Sequence, residues 1–341
     1  MKQIYIVLSK KCNLACSYCI RDYENNIDLE IDFNKFLLLA NKIKEIFIDT
    51  ELVLTGGEPT LNSDFNKILE YSLLNFRNIS INSNGMTNFF YSDKFKEIIL
   101  KYKLKIQLSI DGYEHHHDKY RGKGSYKRII KLLNYLEKFP NLRIVISTTV
   151  VDKNFIDNFS NIYDDLIKYN LRWDIKRVTY SGKASDINCD MLLNRDWNEI
   201  VDSIVDFDKK GFIRIFKTFD FDFLDKIDNT LLEKLEKTIT KNCGSGVDKI
   251  YVYPNLDVLS CTCYENFPSG NLATANIEEI LNSVNHKFII NQKITNSECD
   301  NCRYKVLCNG GCLGSGFSRE TLHNLPDIKC PKIYNCNSMD C

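Results

Sequence analysis

Between residue 4 and about residue 215, short β-rich runs alternate with longer amphipathic stretches. The short runs fall at 4–9 (IYIVLS), 51–55 (ELVLT), 78–83 (NISINS), 105–110 (KIQLSI), 142–150 (LRIVISTTV) and 171–180 (LRWDIKRVTY). Helical patterns lie near 32–46, 64–75, 92–102, 125–138, 155–169 and 195–210. This alternation predicts six repeated βα units on a parallel sheet, an α/β fold. Polar and glycine signals cluster just past the strands, at 55–59 (TGGEP), 82–85 (NSNG) and 111–112 (DG). In parallel α/β folds the carboxyl ends of strands hold ligands, so these loops define one functional face. Cys12, Cys16 and Cys19 follow the first strand onto that face.

After about residue 215 the alternation fades into a charged helical stretch at 222–241, and ten cysteines follow from Cys243 onward. The expected organisation is a barrel-like domain over 1–215, a helical linker over 216–242, and a small cysteine-rich domain over 243–341. A region so poor in regular apolar pattern needs metal to hold it together.

Composition changes this picture little. With 44% apolar and 26% charged residues the 341-residue chain is ordinary globular material. Lys plus Arg and Asp plus Glu are both 45, so no net basic field exists to attract nucleic acid. The run at 4–9 is too short for a signal peptide, and no segment approaches the roughly 20 apolar residues of a membrane span. A cytoplasmic location is expected, where the fourteen cysteines are better suited to metal than to disulfides.

Soft thiolates select zinc, Cu(I) or iron–sulfur clusters, so spacing has to decide. Cys12, Cys16 and Cys19 follow CxxxCxxC with Tyr18 before the last, and the next histidine is His115. Structural zinc is normally closed by four ligands. A [4Fe-4S] cluster on three thiolates instead keeps one iron open. His115, His116 and His117 are consecutive and do not share one direction, so no metal site is expected there.

The cysteine triplet resembles the CX3CXΦC motif of the radical S-adenosylmethionine superfamily, with Tyr18 as the aromatic Φ. The resemblance implies a partial (β/α)6 TIM-type barrel. It also implies that the open iron takes the amino and carboxylate groups of S-adenosyl-L-methionine, which an electron cleaves to methionine and a 5′-deoxyadenosyl radical. LTGGEP resembles the GGE motif, implying that Gly56 and Gly57 admit the methionine part and that Glu58 accepts from its ammonium. LSIDG and HDKYR resemble segments whose serine and arginine, here Ser109 and Arg121, contact the cofactor.

Cys299, Cys302, Cys308 and Cys312 form CX2CX5CX3C, followed by Cys330 and preceded by Cys243 and Cys261. This order resembles the SPASM domain over about 243–330, which implies two auxiliary [4Fe-4S] clusters. By that resemblance Cys299, Cys302, Cys308 and Cys330 hold the outer cluster, and Cys243, Cys261 and Cys312 the inner one. Cys263 is the nearest candidate for the missing fourth inner ligand, ahead of Cys189, Cys336 and Cys341; if none of them binds, the inner cluster keeps an open iron of its own for a substrate group. A zinc ribbon over 299–312 is the alternative. One departure is Leu256, which stands where the family usually has glycine, five residues before Cys261.

The resemblance further implies an oxidoreductase that takes hydrogen from a peptide or protein, in the manner of the RiPP maturases that crosslink, form thioethers or epimerise. Anaerobic sulfatase maturases are similar over nearly the full length. Their aspartate after the second auxiliary cysteine is the implied base, and here Thr262 stands there, which makes formylglycine formation the runner-up. An electron donor such as flavodoxin or ferredoxin is implied, and because the first strand begins at residue 4 any peptide-recognition domain is expected to be a separate protein or absent. A non-enzymatic electron carrier or zinc-stabilised module is the reading from another class; it would not need GGEP, LSIDG and Arg121 together. No catalytic base is named. Asp174, Arg177 and Tyr180, near the end of the sixth strand, are candidate pocket residues.

Overall fold

The computed structural model describes the chain except for residues 22–28, 45, 48, 187–191, 217–225, 239–242, 292–296, 309, 313, 315–326, 328, 331 and 334–341. All six expected strands form: β1 (Gln3–Val7), β2 (Glu51–Thr55), β3 (Asn78–Ser83), β4 (Leu104–Ser109), β5 (Leu142–Val150) and β6 (Leu171–Arg177). Each pairs in parallel with the next, and the crossovers carry helices α1 (Phe33–Ile43), α2 (Phe65–Asn75), α3 (Asp93–Lys101), α4 (Glu114–Arg121), α5 (Ser125–Leu136) and α6 (Phe159–Leu166).

The pleat sorts the side chains. Along β4, Leu104, Ile106 and Leu108 are buried while Lys105, Gln107 and Ser109 are only half-buried and line a central cavity. Such a strand puts its apolar face on the helices and its polar face inward. The same pattern on β1 places Ile4 and Ile6 in the main core, which runs on through Phe36 and Leu39 of α1. α1 starts at an N-cap, Asp32, whose carboxylate accepts from the Lys35 amide at 2.9 Å.

The parallel series extends further than the six expected strands. A seventh, β7 (Ile213–Phe216), follows helix α7 (Asn194–Phe207) and pairs with β6. Beyond the charged stretch, of which the helix α8 (Asn229–Thr238) is described, β8 (Lys249–Val252) returns to pair in parallel with β1. β9 (Asp257–Leu259) and β10 (Gly270–Asn271) then continue antiparallel, giving one ten-stranded sheet in the order β10-β9-β8-β1-β2-β3-β4-β5-β6-β7. Ile250, Val252, Leu256 and Val258 belong to the same core as Ile4 and Ile6. No helix among the described residues is long and apolar enough to cross a membrane.

Candidate functional site

One cavity of about 1770 Å³ opens inside the curved sheet, lined by Cys12, Cys16 and Cys19 and also by Cys243, Cys261, Cys263 and Cys312. The first three sit half-buried in the loop after β1. Gly56 and Gly57 hold that loop: the Gly57 amide donates to the Ser9 carbonyl at 2.8 Å and the Glu58 amide to the Lys11 carbonyl at 2.8 Å. A Cβ at either glycine would collide with the backbone of residues 9–11, so the close approach these glycines permit includes that of the cysteine loop itself.

Glu58 is fully buried and does not line the cavity. Its carboxylate accepts from Thr60 Oγ1 (2.6 Å), Ser83 Oγ (2.9 Å) and the Asn84 amide (2.8 Å). Burial pushes its pKa up against these donors. Its place in this structure is beneath the β3 loop, where it fixes Ser83 and Asn84. Asn84, to which the sequence reading gave no role, donates from Nδ2 to Cys12 Sγ at 3.7 Å and to Asn13 Oδ1 at 2.8 Å. The NSNG signal marked this loop, but nothing in it singled out the residue that reaches a thiol.

Ser109 and Arg121 both line the cavity, at the ends of β4 and α4. The Arg121 Nε donates to Asp111, as does the Tyr18 hydroxyl, and the guanidinium lies 5.6 Å from the Tyr18 ring centroid. Asp111 Oδ1 also accepts from the Thr149 amide at 2.9 Å. Burial alone would raise this carboxyl, but the Arg121 charge holds it below the usual carboxylate range. Tyr18, Asp111 and Arg121 are therefore one buried unit, and Asp111 is its unanticipated centre.

His116 and His117 are structural. His116 bridges the Asp111 carbonyl (2.9 Å) and Asp152 (3.0 Å), and the Asp111 amide donates to His117 Nδ1 at 3.1 Å. His115 points to solvent. Of the other candidates, Asp174 and Arg177 line the cavity and Tyr180 does not. Asp174 accepts from Arg172 (3.0 Å) and bidentately from Arg214 (3.0 and 2.8 Å), while Tyr180 donates to the Leu192 carbonyl at 3.3 Å.

In the cysteine-rich part, Cys263 donates to Cys261, which with nearby Lys249 brings the Cys261 thiol down to about 7 against its burial. Gly314 leaves room for the Cys263 sulfur. The fully buried Asp327 accepts from the Cys312 amide (2.8 Å) and the Lys329 amide (2.9 Å), tying the segment after Cys308 to Cys330. Cys302 and Cys330 pack with Tyr304 and Leu232, and the Cys302 amide donates to the Cys299 carbonyl at 3.1 Å. Cys189, Cys336 and Cys341 lie outside the described residues.

None of the eleven described cysteines is in a disulfide. Among the described residues no three His, Cys, Asp or Glu side chains converge closely enough for a single metal ion. Eight of these soft thiols, outside any disulfide and spread around the cavity, fit the wider footprint of an iron–sulfur cluster.

Fold and site thus define a partial-barrel protein with a thiol-lined strand-end pocket. Residues 6–166 match the model of the Radical SAM superfamily. The sporulation killing factor maturation protein SkfB of Bacillus subtilis is 25% identical over 195 residues, covering 54% of this chain and 46% of its own length. The antilisterial bacteriocin subtilosin biosynthesis protein AlbA of Bacillus subtilis is 26% identical over 332 residues, covering 93% of this chain and 68% of its own. The matched part thus spans under half of the first relative and about two thirds of the second. The crystal structure of Streptococcus suis SuiB bound to the precursor peptide SuiA superposes with a TM-score of 0.79 at 18% identity, over 96% of this chain and 75% of that one.

Proposed function

We propose that this chain is a radical S-adenosylmethionine maturase acting on a ribosomally made peptide. The observation that carries the reading is that two separate cysteine groups, Cys12, Cys16 and Cys19 and Cys243, Cys261 and Cys312, face one cavity of about 1770 Å³. The relatives named for peptide maturation and biosynthesis, and the peptide-bound SuiB, support a peptide as substrate.

Three [4Fe-4S] clusters are assigned: one on Cys12, Cys16 and Cys19, an inner one on Cys243, Cys261 and Cys312 with Cys263 as the fourth ligand, and an outer one on Cys299, Cys302, Cys308 and Cys330. When bound, the first cluster and S-adenosyl-L-methionine supply a radical that removes hydrogen from the substrate.

The chain's own residues prepare the place. Gly56 and Gly57 set the cysteine loop against β2. Glu58, through Ser83 and Asn84, aims an N–H at Cys12, where a donor stabilises the more negative, reduced state of a cluster. Asp111 locks Tyr18 and Arg121, so a fixed guanidinium faces the cavity wall for a carboxylate. Thr262 lines the cavity in place of a carboxylate base, which weighs against sulfatase maturation. A flavodoxin or ferredoxin would supply electrons, and a separate protein would help recognise the peptide.

The test is anaerobic reconstitution with iron and sulfide, reduction, and addition of S-adenosylmethionine. About twelve irons per chain and formation of 5′-deoxyadenosine are expected. Zinc in place of iron, or no 5′-deoxyadenosine, would overturn the reading.

A further inference from the structure

The chain as a whole is neutral, with 45 basic and 45 acidic residues, but its cavity is not. Fifteen Lys and Arg line it against three acids, Glu51, Asp174 and Asp248. Those acids are already committed, Glu51 to Lys105, Asp174 to Arg172 and Arg214, and Asp248 to Lys2. Four more of these cations, Lys10, Arg77, Arg121 and Lys329, pair with acids behind the wall, Glu265, Asp49, Asp111 and Asp327, and the cations left over focus a positive potential inside the curved sheet. Outside the cavity acids outnumber bases, so the attraction is confined to the interior.

Lys176 is the sharpest case. It projects inward from β6, one pleat beyond Asp174, into the cavity enclosed by the strands. It has no hydrogen-bond or ion-pair partner among the described residues, and enclosure pushes its pKa down. The anions that act on it most are Asp111 and Asp174, and the first is held by Arg121 and the second by two arginines. Lys249 on β8 and Arg121 add repulsion. Lys249 has a nearby source of negative charge in Cys243, Cys261 and Cys312, whereas the charges that act most on Lys176 among the described residues are those of Asp111, Lys249, Arg121 and Asp174. An ammonium facing other cations across a cavity lacks an anion.

We propose that the cavity binds an acidic segment of the substrate peptide, with Lys176 as the principal carboxylate contact and Lys249 facing it. This rests on the reading of the chain as a peptide maturase and adds the chemical character of its substrate. Cations at separate points along the cavity wall suit the side-chain carboxylates of a peptide between the two cysteine groups. A nucleic acid would have to bring its continuous backbone charge past the acidic exterior.

The experiment uses the reconstituted, anaerobic holoprotein with S-adenosylmethionine and short fluorescein-labelled peptides read by fluorescence anisotropy. One peptide is built of Glu, Gly and Ser, a second replaces every Glu by Gln, and a third probe is a single-stranded oligonucleotide of matching charge. The Glu peptide is expected to bind at least about tenfold more tightly than the Gln peptide, the scale of one charged hydrogen bond, and to weaken as salt rises. Lys176→Gln should remove about tenfold of that preference, and Lys176→Arg should keep it. Lys249→Gln provides a second variant, with iron content and thermal unfolding confirming an intact fold. Equal binding of the Glu and Gln peptides, tighter binding of the oligonucleotide, or an unchanged preference in Lys176→Gln would overturn the proposal. Failure of the maturase reading is seen separately, as absence of 5′-deoxyadenosine from the wild-type protein without any peptide.

Discussion

At the scale of single residues, the site is held by groups whose protonation is fixed by burial. His117 is 1% exposed, its Nδ1 accepts the Asp111 amide, and its Nε2 is buried without a partner among the described residues. Burial lowers its pKa from 6.5 to about 4, because a second proton would replace an acceptor with a donor inside the fold. The unfolded chain takes that proton near pH 6.5 and the folded one only near 4. Stability therefore falls as pH drops through this window, by up to roughly 3 kcal/mol from this group. His286, also lowered by burial, acts in the same direction. Asp111 does not blur the window: its folded pKa is depressed, so its contribution is complete above about 4 and is lost only in stronger acid. Denaturant unfolding at pH 7.5 and 5.5 should show a loss of stability in the wild type that shrinks in His117→Gln, whose amide oxygen can accept the same N–H. An equal loss in both would show that His117 is not the group responsible.

At the scale of elements, the strands most legible in the sequence were those with apolar runs closed by turn residues. β2, β3 and β5 occupy the expected 51–55, 78–83 and 142–150. β7 and α4 gave no such signal. IRIF is four residues long with every one exposed or half-exposed, and EHHHDKYR buries histidines and a tyrosine instead of an aliphatic stripe. The cysteines stand out in the sequence by their spacing, and their division into groups is what the family resemblance implies, but Asp111 and Asn84 act through hydrogen bonds that exist only once β3, β4 and α4 are brought together. Leu256 lies between these cases. Its departure from glycine was visible, and the structure gives the consequence: it holds φ 69° at the β8–β9 turn while burying its side chain in the main core. A left-handed conformation costs a non-glycine residue roughly 1–2 kcal/mol. Burying a leucine returns about 1.5–3 kcal/mol, and glycine adds a chain-entropy cost. Leu256→Gly should therefore lower stability by about 1 kcal/mol or more despite relieving the backbone, measurable as a drop in thermal midpoint. A stabilised variant would mean that strain outweighs packing there. The same turn leads β9 toward Cys261, so the leucine helps set the thiol's position as well.

At the scale of the whole molecule, the cysteine-rich part is also a wall of the barrel. β1 is a central strand only because Gln3, Ile4, Tyr5 and Ile6 pair on one side with Lys249, Ile250, Tyr251 and Val252. The Lys2 and Gln3 amides extend that seam, donating to the Asp248 carbonyl at 2.7 and 3.0 Å. A chain ended at residue 242 would turn β1 into an unprotected edge and strip Ile250, Val252 and Val258 from the core they share with Ile4 and Ile6. An exposed apolar edge of this kind recruits further strands. We expect that shortened chain to aggregate on expression, while the full chain elutes as a discrete species in size-exclusion chromatography under the same anaerobic conditions. A soluble, monomeric 1–242 chain would show that the first six βα units close their own sheet and that the β8 seam is dispensable. The expected outcome also bears on chemistry. If β8 must be in place before β1 is buried, the loop carrying Cys12, Cys16 and Cys19 is fixed only when the segment bearing Cys243 and Cys261 has docked beside it, and the two cysteine groups reach their common cavity in one folding event.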